Sequence, residues 1–222
     1  MKVIAHIQTD FKTKFGAPRQ SGLAKNALGR IVFEKEYRDP NALRGLEQFS
    51  HIWVLWQFDG FDEKWSPTVR PPKLGGNTRL GVFATRSPNR PNSVGLSALK
   101  IEKLEQTDDL GTVIHVSGCD MVDGTKIYDI KPYLPYVDSI PDAKGGFTED
   151  ILQRPLTVEF EQGLLEKVAE DKRDALVEIL RFDPRPGYQD DPDRVYGFLF
   201  DEYEIGFKVE NDKLMVVRVD KK

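Results

Sequence analysis

The side chains best suited to bind a ligand are concentrated in one polar loop, Thr85–Ser93, between two apolar stretches. They comprise two arginines, two asparagines and two prolines: Arg86, Arg90, Asn89, Asn92, Pro88 and Pro91. Proline fixes its own φ and keeps the preceding residue out of the helical region, so this loop is expected to be rigid. Guanidinium groups match planar anions such as carboxylate and phosphate. The loop is therefore predicted to recognise an anionic group.

The charge pattern around the loop supports this prediction. From Lys64 to Ile101 there are seven cations and no Asp or Glu, although the whole chain has a formal net charge of −4. Such segregation is expected of a local electropositive surface for an anionic partner. A charge run alone would more often be a solvated basic face, but the rigid loop inside it favours a partner.

Several longer motifs occur along the chain, at Ala84–Leu96, Asp123–Tyr133, Pro18–Leu23, Gly45–Trp53, Pro67–Asn77 and, in the tail, Asp183–Tyr188. These motifs closely resemble the TrmO-type tRNA methyltransferases. The resemblance implies a barrel-type enzyme, outside the Rossmann group, that uses S-adenosyl-L-methionine. It also implies methylation of N6 of a threonylcarbamoyl-modified adenosine just 3′ of the anticodon, and a homodimer with the cofactor cleft near the partner subunit.

The resemblance also implies where the methyl donor binds. By motif match the donor contacts Gln20, Gly22, Leu23, Asp59, Arg86, Leu96, Asp120, Met121, Val122 and Asp123. Relatives commonly carry His at the position of Asp59, so a contact there would have to be made by backbone. Asp120 or Asp123 could accept a hydrogen bond from a ribose hydroxyl. Taken alone, Asp123–Gly124 would simply be a tight turn joining two strands.

Four residues are assigned to the RNA side: Arg90, Asn92, Lys131 and Tyr133. Arg90 and Lys131 would pair with phosphates of the anticodon loop. Asn92 would read or orient the base edge, and Tyr133 would stack on the extruded base. Lys131 could instead be a solvated strand-end residue, and Tyr133 a packed edge aromatic. Asp129 could simply pair with Lys131 or with Arg86.

The chemistry implied by the resemblance is compatible with these residue types. Methyl transfer from a sulfonium to nitrogen is an in-line displacement that needs no metal and no protein nucleophile. Catalysis is then largely positioning, which can contribute up to about 7–11 kcal/mol. We expect Asn92, Lys131 and Tyr133 to do this positioning. The base that takes the N6 proton could be a carboxylate, a water or the modification on the adenosine.

Two other functions remain open from the residues. A non-catalytic RNA-binding barrel would use the same basic face without a methyl donor. A small-molecule amine methyltransferase would use Arg86 and Arg90 to hold a carboxylate substrate.

The elements that must position these residues are mainly β. The long apolar run Ile52–Phe58 predicts a central strand buried on both faces, and Asp39–Pro40 predicts the start of a short helix. The sequence lacks the glycine-rich loop between a strand and a helix that is typical of a Rossmann fold, and its predicted strands do not alternate with helices. We therefore expect an antiparallel barrel-like sheet. Its other strands are predicted at Lys2–Gln8, Arg30–Phe33, Leu80–Ala84, Val94–Ile101, Thr112–Ser117 and Thr125–Ile130.

A composition shift predicts two domains, a barrel-like methyltransferase domain at 1–140 and a small α+β domain at 147–222. The second carries 19 acidic and 12 basic residues, so it is not expected to be the main RNA-binding surface. Gln162–Phe182 predicts an amphipathic helix. The predicted strands of this domain are Leu156–Phe160, Tyr196–Phe200, Tyr203–Val209 and Lys213–Val219.

The remaining composition excludes several classes of protein. Cys119 is the single cysteine, so an intrachain disulfide is impossible, and the three histidines are too far apart in sequence to suggest a zinc site. No apolar run reaches transmembrane length, and no signal segment opens the chain. Together these features predict a cytoplasmic protein without a metal.

Overall fold

The computed structural model describes residues 1–58, 65–71, 74, 77–149, 155–185 and 191–222. Within these residues the chain is mostly strand, with a short helix α1 at Pro135–Asp138 and a longer helix α2 at Glu170–Arg181. The strands are β1 Ala5–Thr9, β2 Leu28–Phe33, β3 His51–Gln57, β4 Thr68–Val69, β5 Leu80–Gly81, β6 Val94–Thr107, β7 Gly111–Ser117, β8 Lys126–Pro132, β9 Thr157–Phe160, β10 Tyr196–Phe200, β11 Tyr203–Glu210 and β12 Lys213–Lys221.

Six strands close into an antiparallel barrel in the order β1-β2-β7-β6-β3-β8. Closure pairs every strand on both sides, which removes the exposed sheet edges. The predicted antiparallel barrel is confirmed. The expectation that β3 is buried on both faces is wrong. Ile52, Val54 and Trp56 point into the core, and the residues between them are only half-buried, as alternation in a barrel strand requires.

The segment that precedes the polar loop differs from the prediction. Leu80–Ala84 was expected to be one strand, but only Leu80–Gly81 forms β5, which pairs with β4 in a separate small sheet. The chain then turns through a 3-10 helix at Val82–Ala84. Thr85 closes this turn, because its backbone N–H and its hydroxyl both donate to the Val82 carbonyl, at 3.1 and 2.8 Å.

The C-terminal sheet has the order β10-β11-β12-β9, with β9 parallel to β12. Helix α2 covers it with four buried residues, Ala175, Leu176, Ile179 and Leu180. The helix is shorter than the predicted Gln162–Phe182. Gly163 has a φ of +79° and Val168 is extended, so the regular helix begins only after both of them.

The segment after β1 joins the barrel to this sheet. Phe11 forms an isolated bridge with Phe200, and the Lys172 ammonium on α2 donates to the Asp10 carboxylate at 2.6 Å. Gly16, with a φ of +97°, lies so close to Phe198 that a Cβ atom would overlap the ring.

The predicted short helix after Asp39 is a 3-10 helix at Pro40–Leu43, capped by the Asp39 carboxylate.

No helix among the described residues is both long and apolar enough to cross a membrane. In the same part of the chain, no three His, Cys, Asp or Glu side chains are grouped so that they could hold a metal ion.

The close contact at Gly16 generates a stability prediction. Gly16→Ala should lower the free energy of unfolding by about 1–3 kcal/mol more than Gly163→Ala, because the new methyl group must displace the Phe198 ring. Gly163 is the matched control, since its φ of +79° imposes similar backbone strain but its surroundings are open. Urea unfolding of both variants measures the difference. Equal losses would show that the contact is not tight.

Candidate active site

A cleft of about 740 Å³ opens on the side of the barrel, between β3, β6 and the loops beside them. Its walls come from four segments of the chain, within residues 12–20, 53–58, 85–96 and 120–125. This volume lies in the range of sites that enclose a small molecule or cofactor. The polar loop and the aspartate–glycine bend, far apart in sequence, therefore meet at one site.

Most of the residues implied for the donor converge here. Six of them line the cleft: Gln20, Arg86, Leu96, Asp120, Val122 and Asp123. Three others do not. Met121 is buried in the core, Leu23 lines a small separate cavity beside α2, and Gly22 donates its N–H to the Gly118 carbonyl at 2.9 Å. Asp59 lies outside the described residues.

Arg90 holds the polar loop in shape. Its Nη1 donates to the carbonyls of Val82 and Thr85, at 2.9 and 2.8 Å. The Ser93 hydroxyl adds a bond to the Pro88 carbonyl at 2.9 Å. The loop is thus fixed by side chain to backbone bonds as well as by its prolines. Arg90 also lines the cleft, and two of its five N–H donors are used in these bonds to the backbone.

Arg86 connects the polar loop to the N-terminal wall of the cleft. Its Nη1 donates to the side-chain oxygen of Gln20. Both residues belong to the implied donor site, and both line the cleft. The bond ties the polar loop to the segment after β1.

A chain of buried hydrogen bonds runs beside the cleft from Trp56 to Asp120. The Trp56 indole Nε1 donates to the Ser97 hydroxyl at 2.9 Å, and that hydroxyl donates to Asp120 Oδ1 at 2.7 Å. An indole N–H can only donate, so the proton of Ser97 must point to the carboxylate. Ser97 has 0% of its surface exposed, and its orientation is therefore fixed by its two partners.

The Asp120 carboxyl is perturbed by its surroundings. Burial raises its pKa from the ordinary value of 3.8 to about 6, while the bonds from Ser97 and from backbone N–H groups, and the charge of Arg86, oppose that rise. A carboxyl that titrates close to neutral pH within a cleft is a frequent property of functional sites.

Asp123 has mainly a structural environment. Its Oδ1 accepts from the Thr9 backbone N–H at 3.0 Å and its Oδ2 from the Lys12 ammonium at 3.1 Å. Gly124 has a φ of +77° and donates to the Ile7 carbonyl at 2.8 Å. The Asp123–Gly124 bend is therefore a turn attached to β1, and its carboxylate forms part of the cleft wall.

Of the four residues expected on the RNA side, Arg90 lines the cleft, and Asn92, Lys131 and Tyr133 do not. Lys131 pairs with Asp129 at 2.7 Å, and the Tyr133 ring packs against Trp53 and His51, with ring centroids 5.5 and 6.2 Å apart. Asn92 is exposed in the polar loop. For Lys131 and Tyr133 the structure shows the pairing and packing that were considered as alternatives.

Sequence reasoning missed Ser97 and the aromatic wall of the cleft. Trp56 is a core residue, as its predicted buried strand implied, but together with the half-buried Trp53 and Phe58 it also lines the cleft. Ser97 had one available signal, because it is a polar residue at an inward-facing position of β6, between the buried Gly95 and Leu99. A buried hydroxyl needs a partner, and this one has two.

Cys119 and His115 are not a catalytic pair. Burial raises the pKa of the Cys119 thiol, so this thiol stays protonated and unreactive. The His115 ring Nε2 lies 2.6 Å from Glu105 Oε2 on the neighbouring strand. Both residues have structural environments.

The closed antiparallel barrel carries a side cleft walled by aromatic residues, an arginine loop and a carboxylate. These features define a barrel-type ligand-binding protein of non-Rossmann topology. Residues 6–139 match the family model of the tRNA-methyltransferase O N-terminal domain, and residues 153–222 match that of the TrmO C-terminal domain. The chain belongs to the tRNA-methyltransferase O family.

Individual relatives agree along most of their length. A tRNA (adenine(37)-N6)-methyltransferase of Escherichia coli K12 is 38% identical over 215 residues, which is 93% of this chain and 91% of that protein. A putative S-adenosylmethionine-dependent methyltransferase of Pseudomonas aeruginosa is 40% identical over 207 residues, 87% of this chain and 85% of that protein. A crystal structure of TrmO from Pseudomonas aeruginosa has a TM-score of 0.78 and 31% identity, and covers 99% of this chain and 98% of that one.

The hydrogen-bond chain generates a second prediction. Ser97→Ala should raise the pKa of Asp120 further above about 6, because it removes the largest interaction that opposes burial. It should also destabilise the protein by about 1–3 kcal/mol, since the Trp56 N–H loses its acceptor. Carbon-13 NMR titration of the aspartate carboxyls, with Asp120→Asn to identify the resonance and Ser139→Ala as an exposed control, measures the shift. An unchanged Asp120 pKa would contradict the role given to Ser97.

Proposed function

We propose that this chain is an S-adenosyl-L-methionine-dependent methyltransferase that methylates N6 of the threonylcarbamoyl-modified adenosine beside the anticodon of tRNA. One observation carries the proposal. The arginine loop and the aspartate bend, the two segments that most resemble this enzyme family, converge on a single cleft of about 740 Å³. The name of the Escherichia coli relative, a tRNA (adenine(37)-N6)-methyltransferase, supports the choice of substrate.

The residues of the cleft fit S-adenosyl-L-methionine. Trp56 and Phe58, whose ring centroids are 4.1 Å apart, offer an apolar wall for the adenine. The Asp120 carboxylate offers an acceptor for a ribose hydroxyl and a negative charge that favours a sulfonium. Gln20 and Arg86 close the rim through their mutual hydrogen bond. When bound, the cofactor supplies an electrophilic methyl group for the adenosine nitrogen.

The contribution of the protein is then positioning and electrostatics. The fixed loop and the fixed Asp120 carboxylate hold groups in place before the ligand arrives, so little reorganisation is needed during the reaction. Asn92 and Lys131, outside the donor cleft, are proposed to act on the RNA side together with Arg90 and Tyr133. Lys131 must exchange Asp129 for a phosphate to do so.

The proposal includes the assembly and the location of the protein. A homodimer would place the partner subunit beside the donor cleft, as the family resemblance implies. Residues 1–140 would carry the methyl transfer, and residues 147–222 would stabilise the dimer or orient the anticodon stem. The enzyme would act in the cytoplasm, where its tRNA is found.

The function is tested with purified protein, tRNA that carries the threonylcarbamoyl modification but lacks the N6-methyl group, and S-adenosyl-L-methionine. Mass spectrometry of the nucleosides should show a gain of one methyl group on the modified adenosine. Arg86→Ala should reduce the rate, because it removes a charged group from the rim of the cleft. Arg44→Ala is the control, since Arg44 is an exposed arginine that is not among the residues lining the cleft.

The same preparation separates the alternatives. The cofactor should raise the melting temperature, since a ligand that binds only the folded state stabilises it. Absence of a shift at saturating cofactor would favour a non-catalytic RNA-binding barrel. Affinity for tRNA should fall steeply with salt if several phosphates are bound. A flat response, with methylation of a free amine, would favour a small-molecule enzyme.

The perturbed Asp120 predicts a pH dependence for cofactor binding. Because its pKa is raised to about 6, the carboxylate is charged above that pH and loses its charge as the pH falls through it. Affinity for the cofactor should therefore be highest above pH 6 and decline below it. Asp120→Asn should bind more weakly at pH 8 and lose this decline. Calorimetric titration from pH 5 to 8 measures both, and a parallel decline in the variant would assign the pH effect to another group.

A further inference from the structure

Two large aromatic side chains lie exposed beside the polar loop. Trp65 and Phe83 are 46% and 69% exposed, and their rings are stacked, with centroids 6.3 Å apart and an interplanar angle of 27°. The Arg90 guanidinium carbon lies 5.2 Å from the centroid of the Phe83 ring. Exposed aromatic groups in such an arrangement are typical of a surface that binds a partner.

Hydrogen bonds hold the backbone beneath the aromatic pair. Val82 is buried and its N–H donates to the Pro67 carbonyl at 3.0 Å, so the neighbouring Phe83 is turned outward. The Ser66 hydroxyl donates to the Thr68 carbonyl at 2.8 Å, next to the β4–β5 pair. Both rings are therefore presented from a fixed frame, which reduces the entropy lost when a partner binds.

Arg90 connects the aromatic pair to the donor cleft. The same guanidinium lines the cleft and covers the Phe83 ring. A planar group stacked on the pair would thus lie beside an arginine that also lines the cleft. Stacking on aromatic rings and on guanidinium planes is the usual way in which proteins bind unpaired bases.

Tyr133, which was expected to stack on the base, is already packed. Its ring contacts Trp53 and His51, and its backbone N–H donates to the His51 carbonyl at 3.0 Å. The exposed pair offers an open aromatic surface that Tyr133 does not.

We propose that Trp65 and Phe83, with Arg90, form a stacking site for an unpaired base of the RNA substrate, next to the methyl-donor cleft. The proposal rests on the proposed function and deepens it by naming the site that receives the anticodon loop. The surrounding stretch from Lys64 to Ile101, which has seven cations and no acidic residue, suits the phosphates that flank such a base.

A second copy of this chain is the competing occupant. A twofold contact centred on the patch would bring Arg79 and Arg90 toward their own copies, in a stretch that contains no carboxylate to compensate them. Charge complementarity therefore favours RNA at this patch.

The test measures binding of a single-stranded RNA with the anticodon-loop sequence to Phe83→Ala, Phe83→Leu and Phe83→Tyr by fluorescence anisotropy at several salt concentrations. The Ala and Leu variants should lose affinity on the order of 10-fold, as expected for one lost base stack, and the Tyr variant should bind like the wild type. The slope of affinity against salt should stay unchanged, because no phosphate contact is removed. Tyr136→Ala, which alters an 82% exposed aromatic outside the patch, is the control and should have no effect.

Sedimentation and cofactor thermal shifts of the same variants complete the design. Wild-type affinity in Phe83→Ala would overturn the proposal. So would a loss of affinity accompanied by dissociation into monomers, because the patch would then be a subunit interface. Failure of the proposed function can be distinguished from failure of the stacking site, because the wild-type protein itself would then not methylate tRNA. Loss of RNA affinity in Ala and Leu, with an unchanged oligomeric state and an unchanged response to the cofactor, supports the stacking site.

Discussion

The close approach of β3 and β6 is the constraint on which the site depends. Trp56 is paired directly with Gly95, and the indole lies where a side chain at residue 95 would otherwise be. Only a residue without a Cβ atom allows the ring to lie across the neighbouring strand. In that position the indole N–H reaches Ser97, which in turn reaches Asp120. The packing of one aromatic residue on one glycine thus orients a carboxylate at the cleft.

The carboxylate of Asp120 is held at a cost to the folded protein. Its folded pKa of about 6 lies above the ordinary 3.8, so the folded state binds this proton more tightly than the unfolded chain does. By linkage, the contribution of this group to stability falls as the pH rises from about 4 to 6, and the loss persists above pH 6. A group that disfavours folding at neutral pH is expected where function, rather than stability, requires a charge.

Much of the fold could be predicted because its signals are local. Apolar runs of strand length and the absence of strand–helix alternation predicted the antiparallel barrel. Asp39–Pro40 predicted the start of a short helical turn. The errors arose where a tertiary contact decided the outcome. Thr85 closes a turn and ends β5 early, and β3 alternates because a barrel has an inside and an outside.

The candidate site was predictable in part for the same reason. The motifs identified segments that converge on the cleft, because the position of each segment is set by the strand to which it is attached. They could not show which way individual side chains turn. Whether Arg90 faces a ligand or its own loop depends on the carbonyls of Val82 and Thr85. Whether Tyr133 is open depends on Trp53 in the neighbouring strand.

Three arginines of the basic stretch donate hydrogen bonds to uncharged groups. Arg79 donates to the Thr68 hydroxyl, Arg86 to the Gln20 amide and Arg90 to two carbonyls, all of which are neutral acceptors. A neutral acceptor fixes the position of a guanidinium without cancelling its charge, whereas Lys100 is paired with the Glu102 carboxylate. The result is a set of fixed positive charges on a protein that is acidic as a whole. This distribution of charge should attract an anionic polymer to the basic stretch more than to the acidic C-terminal region.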